Sequence, residues 1–320
     1  MKYSIITPVY NRQDCIARCL DSVIRNLASG CELEHIVVDD GSTDGTDAII
    51  ETYEKSYKHI NFFRFDCNRG TNAARNAAIA AAKGEFCIIL DSDDYFVDNA
   101  IQIINDVVSA QDYKHYCFAA NDMLDYYESN PILGKSEQTV LDFNDFLLER
   151  VSGDFIHVIK TETLRKYPFD EALRIYEGVF FKRFYREAGK ILFTRKVVTI
   201  RERGRSDSVT LDVILKNKAR ALKGLDSKLL LVEWFEPELL RSDEGRIILH
   251  KTYSSIVELY LLLRNYRAAE NWITKIGNLG VGKVPLILRI VKKSRLGGLY
   301  FFARKIYSLL KFDMLRSRIR

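Results

Sequence analysis

The sequence lacks the features of a membrane-spanning or exported protein. No stretch of the 320-residue chain approaches the roughly 18 consecutive apolar residues that a membrane span needs. Met1-Lys2 leads directly into a strand-like run, without the apolar segment of a secretory signal peptide. We therefore expect a protein that is neither transmembrane nor secreted and that resides in the cytoplasm.

The six cysteines contain no C-x-x-C pair, and the five histidines are scattered along the chain. Spacing of this kind predicts no zinc site. All six cysteines lie within the first 117 residues, several at apolar positions of predicted helices and strands. A reduced protein whose cysteines pack in the interior accounts for this distribution.

Two signatures of other nucleotide-dependent enzymes are missing after the first predicted strand. No G-x-G-x-x-G follows it, which argues against a dinucleotide-dependent oxidoreductase. A nucleotidyltransferase usually has a glycine-rich loop with Arg or Lys at this point, whereas this chain reads Thr7-Pro8-Val9-Tyr10-Asn11. No motif indicates recognition of nucleic acid, so we expect no nucleic-acid partner.

Strands and helices alternate over the first 120 residues, where short apolar runs are separated by segments with apolar residues at helical spacing. The pattern predicts strands at 3–7, 36–39, 62–65, 86–90 and 115–119, and helices at 14–28, 46–57, 72–83 and 99–109. Such alternation predicts an α/β fold, a mostly parallel sheet with helices on both faces. Ligands of such sheets bind beyond the carboxyl ends of the strands.

The pattern is less regular beyond residue 120. It predicts helices at 142–151 and 177–189, and strands at 155–159, 191–193 and 197–200. Residues 212–320 look helical throughout, with an antiparallel helix pair over 252–276. We therefore expect a catalytic domain over 1–210, with a donor-binding half at 1–100 and an acceptor-side half at 101–210, and a helical region over 211–320.

Acidic residues follow two of the predicted strands. Leu90-Asp91-Ser92-Asp93-Asp94 ends one of them, and Val37-Val38-Asp39-Asp40-Gly41-Ser42 ends another. Carboxylates at the end of a buried strand are costly to desolvate unless a cation offsets them, and Mg²⁺ or Mn²⁺ binds carboxylate and phosphate oxygens together. Polar turns that cap the following helices are the alternative interpretation of both segments.

A third segment, Asn68-Arg69-Gly70-Thr71-Asn72-Ala73-Ala74-Arg75-Asn76, combines a glycine-bearing loop with the start of a helix. Backbone N–H groups and the positive end of a helix dipole attract anions, and Arg75 lies where it can reach a phosphate. A solvated arginine on an amphipathic helix is the alternative.

Together with Ser4-Ile5-Ile6-Thr7-Pro8-Val9-Tyr10-Asn11-Arg12, these three segments resemble the family 2 glycosyltransferases in order, spacing and strand–loop context. The resemblance covers roughly residues 1–210 and is strongest up to residue 100. It implies a GT-A fold and an inverting transfer from a nucleotide-sugar donor, usually UDP-linked, with Mn²⁺ or Mg²⁺ as cofactor.

The resemblance also implies roles for individual residues. Thr7 and Asp40 would contact the base of the donor, with Asp39 supporting their turn, and Arg75 would lie near the donor. In the acidic strand end, Asp91 would contact the ribose, and Asp93 would bind the metal ion that bridges the diphosphate. Asp94 would support these residues or lie on the acceptor side.

An inverting transfer needs a general base that deprotonates the acceptor hydroxyl. In this family the base is usually an Asp in a pattern like Glu-Asp-x-x-Phe, after a Phe-Asp-Glu stretch. Here Phe169-Asp170-Glu171 is followed by Tyr176-Glu177-Gly178-Val179-Phe180. The resemblance therefore implies Glu177 as the base, with Glu in place of the usual Asp, whereas a plain charge at a helix start is the alternative.

Two further candidates come from the weaker part of the resemblance. The basic loop 201–210 places Arg203 or Arg205 where it would offset the leaving diphosphate, and Arg205 is the expected donor contact. His157 lies in a strand that often lines the acceptor pocket, so we expect an acceptor-side contact or a packing role.

The C-terminal end is strongly basic. Residues 281–320 contain eleven Lys or Arg and one acid, Asp313, in a chain whose net charge is +5. Apolar clusters alternate with these cations over 284–312, as in helices that lie on an anionic membrane surface. We expect peripheral contact with the inner face of the membrane through residues 284–320, beside a lipid-linked acceptor; a helical cap with a solvated charged face is the alternative.

The sequence thus predicts an enzyme that transfers a sugar from a nucleotide diphosphate to a saccharide or lipid-linked saccharide in the synthesis of a cell-surface glycan. A GT-A domain that binds a nucleotide sugar without turnover is the alternative, because the residue at the base position is altered.

Overall fold

A computed structural model describes residues 2–173, 176–201 and 218–294. The chain divides into two compact units, Met1–Ser206 and Asp207–Arg320. The domain boundary predicted after residue 210 falls within 202–217, outside the described residues.

The first unit is built on a mixed sheet of eight strands, with a second sheet of two. The strands are β1 (Lys2–Val9), β2 (Glu32–Asp39), β3 (Ile60–Arg64), β4 (Phe86–Ile89), β5 (Tyr95–Phe96), β6 (His115–Ala119), β7 (Gln138–Asp142), β8 (Phe155–Lys160), β9 (Lys190–Val197) and β10 (Thr199–Ile200). The large sheet has the order β3-β2-β1-β4-β8-β6-β9-β7, and β10 pairs with β5. Four neighbouring pairs are parallel and three are antiparallel, so the sheet is mostly parallel, as predicted.

Within the described residues of this unit, eight α-helices connect the strands: α1 (Ile16–Arg25), α2 (Thr46–Ser56), α3 (Thr71–Ala81), α4 (Ala100–Ala110), α5 (Leu124–Ser129), α6 (Phe143–Leu147), α7 (Thr161–Lys166) and α8 (Gly178–Ala188). Alternate side chains of β1, including Tyr3, Ile5 and Val9, share one core with Cys19 and Leu20 of α1. A second core lies among β6, β9, α5, α6 and α8. The first core includes Val37 of β2 and Ile88 of β4, so it supports the two strands whose ends carry the acidic motifs.

Two predictions in the less regular half differ from the structure in their bounds. The helix predicted at 142–151 is confined to Phe143–Leu147, and strand β7 ends at Asp142. Asp142 caps this short helix through a reciprocal capping box with Asp145. Glu149 then adopts a left-handed φ of 56°, which ends the helical path. The strands predicted at 191–193 and 197–200 correspond to β9 and β10, of which β9 is longer than predicted.

The second unit is helical over its described part, with α9 (Lys218–Leu239), α10 (Asp243–Leu262), α11 (Tyr266–Asn278) and α12 (Leu286–Ser294). Helices α10 and α11 form the helix pair expected over 252–276. Asn265 caps α11 by accepting a hydrogen bond from the Ala268 amide, and Tyr253 packs edge-on against Trp272. Among the described residues, no helix combines the length and the apolar character that crossing a membrane requires.

Candidate active site

The carboxyl ends of β2, β1 and β4 lie side by side at one edge of the large sheet. Backbone pairing continues one residue beyond β2 and β4: the Asp40 amide donates to the Val9 carbonyl at 2.8 Å, and the Leu90 amide donates to the Ile6 carbonyl at 3.0 Å. Asp40 and Asp91 therefore follow the two strands that flank β1, at the edge where α/β sheets bind ligands.

Asp39 is fully buried beneath the turn after β2. Its Oδ1 accepts hydrogen bonds from the amide and the hydroxyl of Ser42, and its Oδ2 lies 3.4 Å from Nε of Arg64. Burial raises the pKa of Asp39, and the hydrogen bonds from Ser42 oppose that shift. The Asp39 side chain therefore holds its own turn together.

Asp40 is also buried, and both of its oxygens are engaged by the loop before α3. Oδ1 accepts from the Arg69 amide at 2.6 Å, and Oδ2 accepts from the Gly70 amide at 2.8 Å. This corrects the expectation that the loop at residues 68–70 offers free N–H groups to an anion, because Asp40 occupies two of those groups. Each carboxylate oxygen keeps a second lone pair for a further donor.

Thr7 lies within β1 and is fully buried. Its hydroxyl lies 2.8 Å from Nε2 of His35 on β2. The Thr7 side chain is therefore engaged inside the sheet, whereas Asp91 at the neighbouring strand end is 49% exposed.

Arg75, Asp91 and Glu177 meet although they come from three separate segments. Nη2 of Arg75 lies 3.1 Å from Oδ1 of Asp91, and Nη1 lies 3.3 Å from Oε1 of Glu177. Nη1 also lies 3.3 Å from Oδ1 of Asn72. Glu177 immediately precedes α8, and its carbonyl accepts from the amides of the first turn of that helix. Three of the predicted site residues are thus linked by one guanidinium.

Asp93 and Asp94 belong to the turn that follows Asp91. The Asp94 amide donates to the Asp91 carbonyl at 3.0 Å, and the Asp93 carbonyl accepts from Nη2 of Arg18 on α1 at 3.3 Å. Both acidic side chains are half-buried. Helix α1 therefore supports the turn that carries the predicted metal ligand.

Two asparagines of α3 hold the segment that leads to Glu177, and sequence reasoning missed both. Asn76 exchanges two hydrogen bonds with the backbone of Phe169, at 2.8 and 2.9 Å. Nδ2 of Asn72 donates to the Asp170 carbonyl at 2.8 Å. Asn72 and Asn76 are four residues apart and therefore lie on one face of the helix. This spacing is the signal by which the sequence could have indicated a shared partner.

His157 lies on β8 and is half-buried. Its ring stacks on Phe181 of α8, with centroids 4.2 Å apart, and its Nδ1 lies 3.0 Å from Nε2 of His115. Desolvation lowers the pKa of His157 to about 3, so the ring is neutral at physiological pH. The structure brings His157 next to α8, four residues beyond Glu177 at Phe181, rather than to the acidic turn.

Of the basic loop predicted at 201–210, the structure describes Arg201 alone. Arg203 and Arg205 lie outside the described residues. Arg201 donates from Nε and Nη2 to Oδ1 of Asp122, and its Nη1 lies 3.2 Å from Asp154. These ion pairs fasten the end of β10 to the segments that carry Asp122 and Asp154.

Comparison with known proteins places these residues in context. The sequence model of glycosyl transferase family 2 matches residues 4–124, which include β1 to β4 and their acidic ends. A curated relative from Campylobacter jejuni, GalNAc(5)-diNAcBac-PP-undecaprenol beta-1,3-glucosyltransferase, is 28% identical over 298 residues, covering 91% of this chain and 93% of that protein.

Solved structures share the fold. The Staphylococcus aureus TarS fragment 1-349 in complex with UDP-GlcNAc superposes with a TM-score of 0.58 at 18% identity, covering 87% of this chain and 89% of that chain. The mannosyltransferase PcManGT from Pyrobaculum calidifontis, in complex with GDP-Man and Mn²⁺, superposes with a TM-score of 0.58 at 14% identity, covering 96% and 87%. The predicted GT-A fold with a helical C-terminal region is confirmed.

Proposed function

Residues 4–124 match the model of glycosyl transferase family 2, and from this premise we propose that the chain belongs to that family and transfers a sugar from a UDP-sugar to a hydroxyl group of a saccharide or lipid-linked saccharide, with inversion. The observation that carries this proposal is the linkage of Asp91 and Glu177 through Arg75 at the carboxyl edge of the sheet. It sets a candidate base beside a candidate donor-binding acid.

The donor would lie along the edge formed by β2, β1 and β4. Asp91, which is half-exposed, has an oxygen available for a ribose hydroxyl beside its contact with Arg75. Asp40 would accept from the imide of the base with its remaining lone pairs, and Asp39 would support the turn. Thr7 would act through its place in the strand, since its hydroxyl is bonded to His35.

The acidic turn suits a hard divalent cation. Mg²⁺ and Mn²⁺ take oxygen ligands, and Mg²⁺ is usually held by one or two carboxylates together with substrate phosphates. Asp93, half-buried on a turn braced by Arg18, fits that requirement as the protein ligand. Such an ion would neutralise charge on the diphosphate as the leaving group departs. Arg205 would add a second positive charge there, and Asp94 would face the acceptor.

Glu177 would remove the proton of the acceptor hydroxyl. Its side chain is 21% exposed, so water reaches it only partly, and Arg75 holds one of its two oxygens. The other oxygen would take the proton, for which the acceptor hydroxyl must come within hydrogen-bond distance of it. His157 would support this acceptor side from behind, since its ring packs on Phe181 one helical turn after Glu177.

The surface of helix α12 in the second unit supports the proposal of a lipid-linked acceptor. Helix α12 exposes Leu286 (68%), Ile287 (46%) and Ile290 (51%), and Arg289 and Lys293 belong to the same helix. Apolar residues and cations on a surface helix are typical of contact with an anionic membrane. We propose that residues 284–320, of which 295–320 lie outside the described residues, bring the enzyme to a lipid-linked acceptor.

The test begins with binding. UDP-, GDP- and dTDP-sugars, each with Mn²⁺ or Mg²⁺, are screened for an increase in the melting temperature, and the stabilising donor is then assayed for transfer or slow hydrolysis. Asp93→Ala should abolish metal-dependent stabilisation. Stabilisation with turnover supports an enzyme, stabilisation without turnover on any acceptor supports a binding module, and the absence of stabilisation by every donor contradicts both.

A further inference from the structure

Three metal-ligating side chains converge on one face of the sheet, in a cluster that we call the His–Cys–His cluster: His115, Cys117 and His157. His115 and Cys117 are two residues apart on β6 and therefore point to the same side. His157 lies directly opposite Cys117 in the antiparallel pair of β6 and β8. The grouping is thus set by strand register, which is why scattered histidines gave no signal in the sequence.

The ligand atoms form a small triangle. Nε2 of His115 lies 3.0 Å from Nδ1 of His157, and Sγ of Cys117 lies 3.8 Å from the first nitrogen and 3.7 Å from the second. Zn²⁺ takes His nitrogen at about 2.0–2.1 Å and Cys sulfur at about 2.3 Å in a tetrahedron, which requires nitrogens about 3.4 Å apart and each about 3.6 Å from the sulfur. The triangle matches these edges to within about 0.4 Å.

The two ring nitrogens that face Cys117 share a single hydrogen bond, and the Cys117 sulfur lies near both at distances that allow only weak contacts. Nδ1 of His115, on the far side of its ring, is buried without a hydrogen-bond partner in the described part of the chain, and an ion at Nε2 would not supply one. Stacked aromatic rings surround the pair: Tyr185 lies on His115 at 5.1 Å, and Phe181 lies on His157 at 4.2 Å. A cluster of three polar groups in such a pocket is costly unless something binds them.

We propose that His115, Cys117 and His157 bind a borderline-soft divalent ion of the Zn²⁺ type. This site would be separate from the carboxylate turn around Asp93, because sulfur and imidazole ligands select such ions whereas carboxylates and phosphates select Mg²⁺ or Mn²⁺. Among the described residues three protein ligands are present, and water would complete the coordination.

Binding of the ion would release one proton to solvent. The Cys117 thiol loses its proton to solvent as the sulfur–metal bond forms, and each imidazole binds through a nitrogen that carries no hydrogen.

The ion would act on structure near the active site. It would tie β6 to β8, and through the stack of His157 on Phe181 it would steady α8, whose first turn follows Glu177. The role is positioning, since none of the three ligands contacts Arg75, Asp91 or Glu177 in the hydrogen bonds and ion pairs given above.

Cobalt provides the readout, since tetrahedral Co²⁺ with a thiolate ligand gives visible bands and a near-ultraviolet charge-transfer band. The whole protein, treated with a chelator and desalted, is titrated with Co²⁺. We expect one ion per chain with both band types, displaced by Zn²⁺. Cys117→Ser should remove the charge-transfer band and weaken Co²⁺ binding by more than about 100-fold. Mutation of residues that merely hydrogen-bond to metal ligands already lowers the affinity for the metal by about 10- to 100-fold, and Cys117 would be a ligand itself.

Controls separate this site from others. Cys87→Ser changes another fully buried cysteine, on β4, and should leave the cobalt spectrum unchanged. Asp93→Asn should also leave it unchanged. His157→Gln, at a half-buried position, serves if Cys117→Ser does not fold, and should lose the tetrahedral bands. The absence of a charge-transfer band in the unmutated protein, or its persistence in Cys117→Ser, overturns the proposal.

Discussion

Arg75 holds Glu177 in place: Nη1 of the arginine lies 3.3 Å from Oε1 of the glutamate, across 102 positions of sequence. Nη2 of the same guanidinium lies 3.1 Å from Asp91. Arg75 is only 14% exposed, so these charge-assisted contacts are less screened by solvent than a surface ion pair. The planar fork of arginine is suited to reach both carboxylates at once.

Replacing Arg75 by lysine should therefore impair activity although the charge is kept. A lysine ammonium is a point charge that cannot bridge Asp91 and Glu177 in this geometry. Loss of one charged hydrogen bond is worth about 1.5–3 kcal/mol, which corresponds to a decrease of roughly 10- to 100-fold in kcat/KM for sugar transfer. Arg69→Lys is the matched control, because Arg69 pairs with Glu171 at an exposed position and should change kcat/KM by less than about threefold. Equal effects of both substitutions would contradict this account.

Glu177→Gln should lower kcat by roughly 10²- to 10⁴-fold, the usual contribution of a general base. The amide keeps the size of the side chain and a contact with Arg75 but cannot take a proton. The dissociation constant for the nucleotide sugar, measured by calorimetry, should change little. Glu177→Asp restores the acid but shortens its reach by one methylene, so it should recover only part of the rate. A Gln variant with full turnover would remove Glu177 from the mechanism.

Asn76→Ala should destabilise the first unit by about 1–3 kcal/mol, because it leaves both the N–H and the C=O of Phe169 without their partner. Chemical denaturation measures the free energy of unfolding. Asn72→Ala removes one hydrogen bond to the backbone, at the Asp170 carbonyl, and the 3.3 Å contact with Nη1 of Arg75, and it should cost less because it leaves no backbone N–H group without its partner. If the two variants were equally stable, the paired contact of Asn76 with Phe169 would have no special weight.

Gly41→Ala should be more destabilising than Gly30→Ala, although both glycines have a positive φ, 72° and 73°. An added Cβ at Gly41 would lie 2.7 Å from the Cys67 carbonyl carbon, whereas nothing lies within 4 Å of one at Gly30. The left-handed backbone costs alanine about 1 kcal/mol at both sites. The steric clash should add about 1–3 kcal/mol at Gly41 and displace the loop that contacts Asp40. Denaturation of the two variants under the same conditions gives the difference, and a value near zero would show that the loop yields.

His35 should make the free energy of unfolding depend on pH. Burial lowers its pKa to about 3, below the value near 6.5 in the unfolded chain. The unfolded chain therefore binds a proton that the folded chain does not, so the stability present above pH 6.5 falls as the pH drops towards 3, by about 1.4 kcal/mol per pH unit. Partial desolvation also lowers the pKa of the half-buried His59, which acts in the same direction. The measurement is the slope of the unfolding free energy against pH between pH 6.5 and 3, for the unmutated protein and for His35→Gln. The two slopes should differ by the equivalent of nearly one proton taken up on unfolding. Identical slopes would refute the role of His35.

The regular first half of the fold could be predicted from local pattern. Apolar runs and helical spacing predicted β1, β4 and α3 to within a few residues, because their cores follow the periodicity of buried strands and amphipathic helices. Strand β7 was missed because it is a short edge strand, largely exposed, whose partner within the described part of the chain is β9. Its conformation depends on that pairing rather than on its own residues.

The sequence by itself indicated a resemblance to the family 2 glycosyltransferases, a mostly parallel sheet, and an edge of that sheet at which Asp40, Asp91 and Asp93 are expected, since parallel strands end on the same side of a sheet. Tertiary structure alone decided that Arg75 joins Asp91 to Glu177, that Asp40 takes the amides of the following loop, and that His157 faces His115 and Cys117. These contacts depend on helix docking and strand register between distant segments, and separations of 102 or 42 positions leave no local periodicity to read.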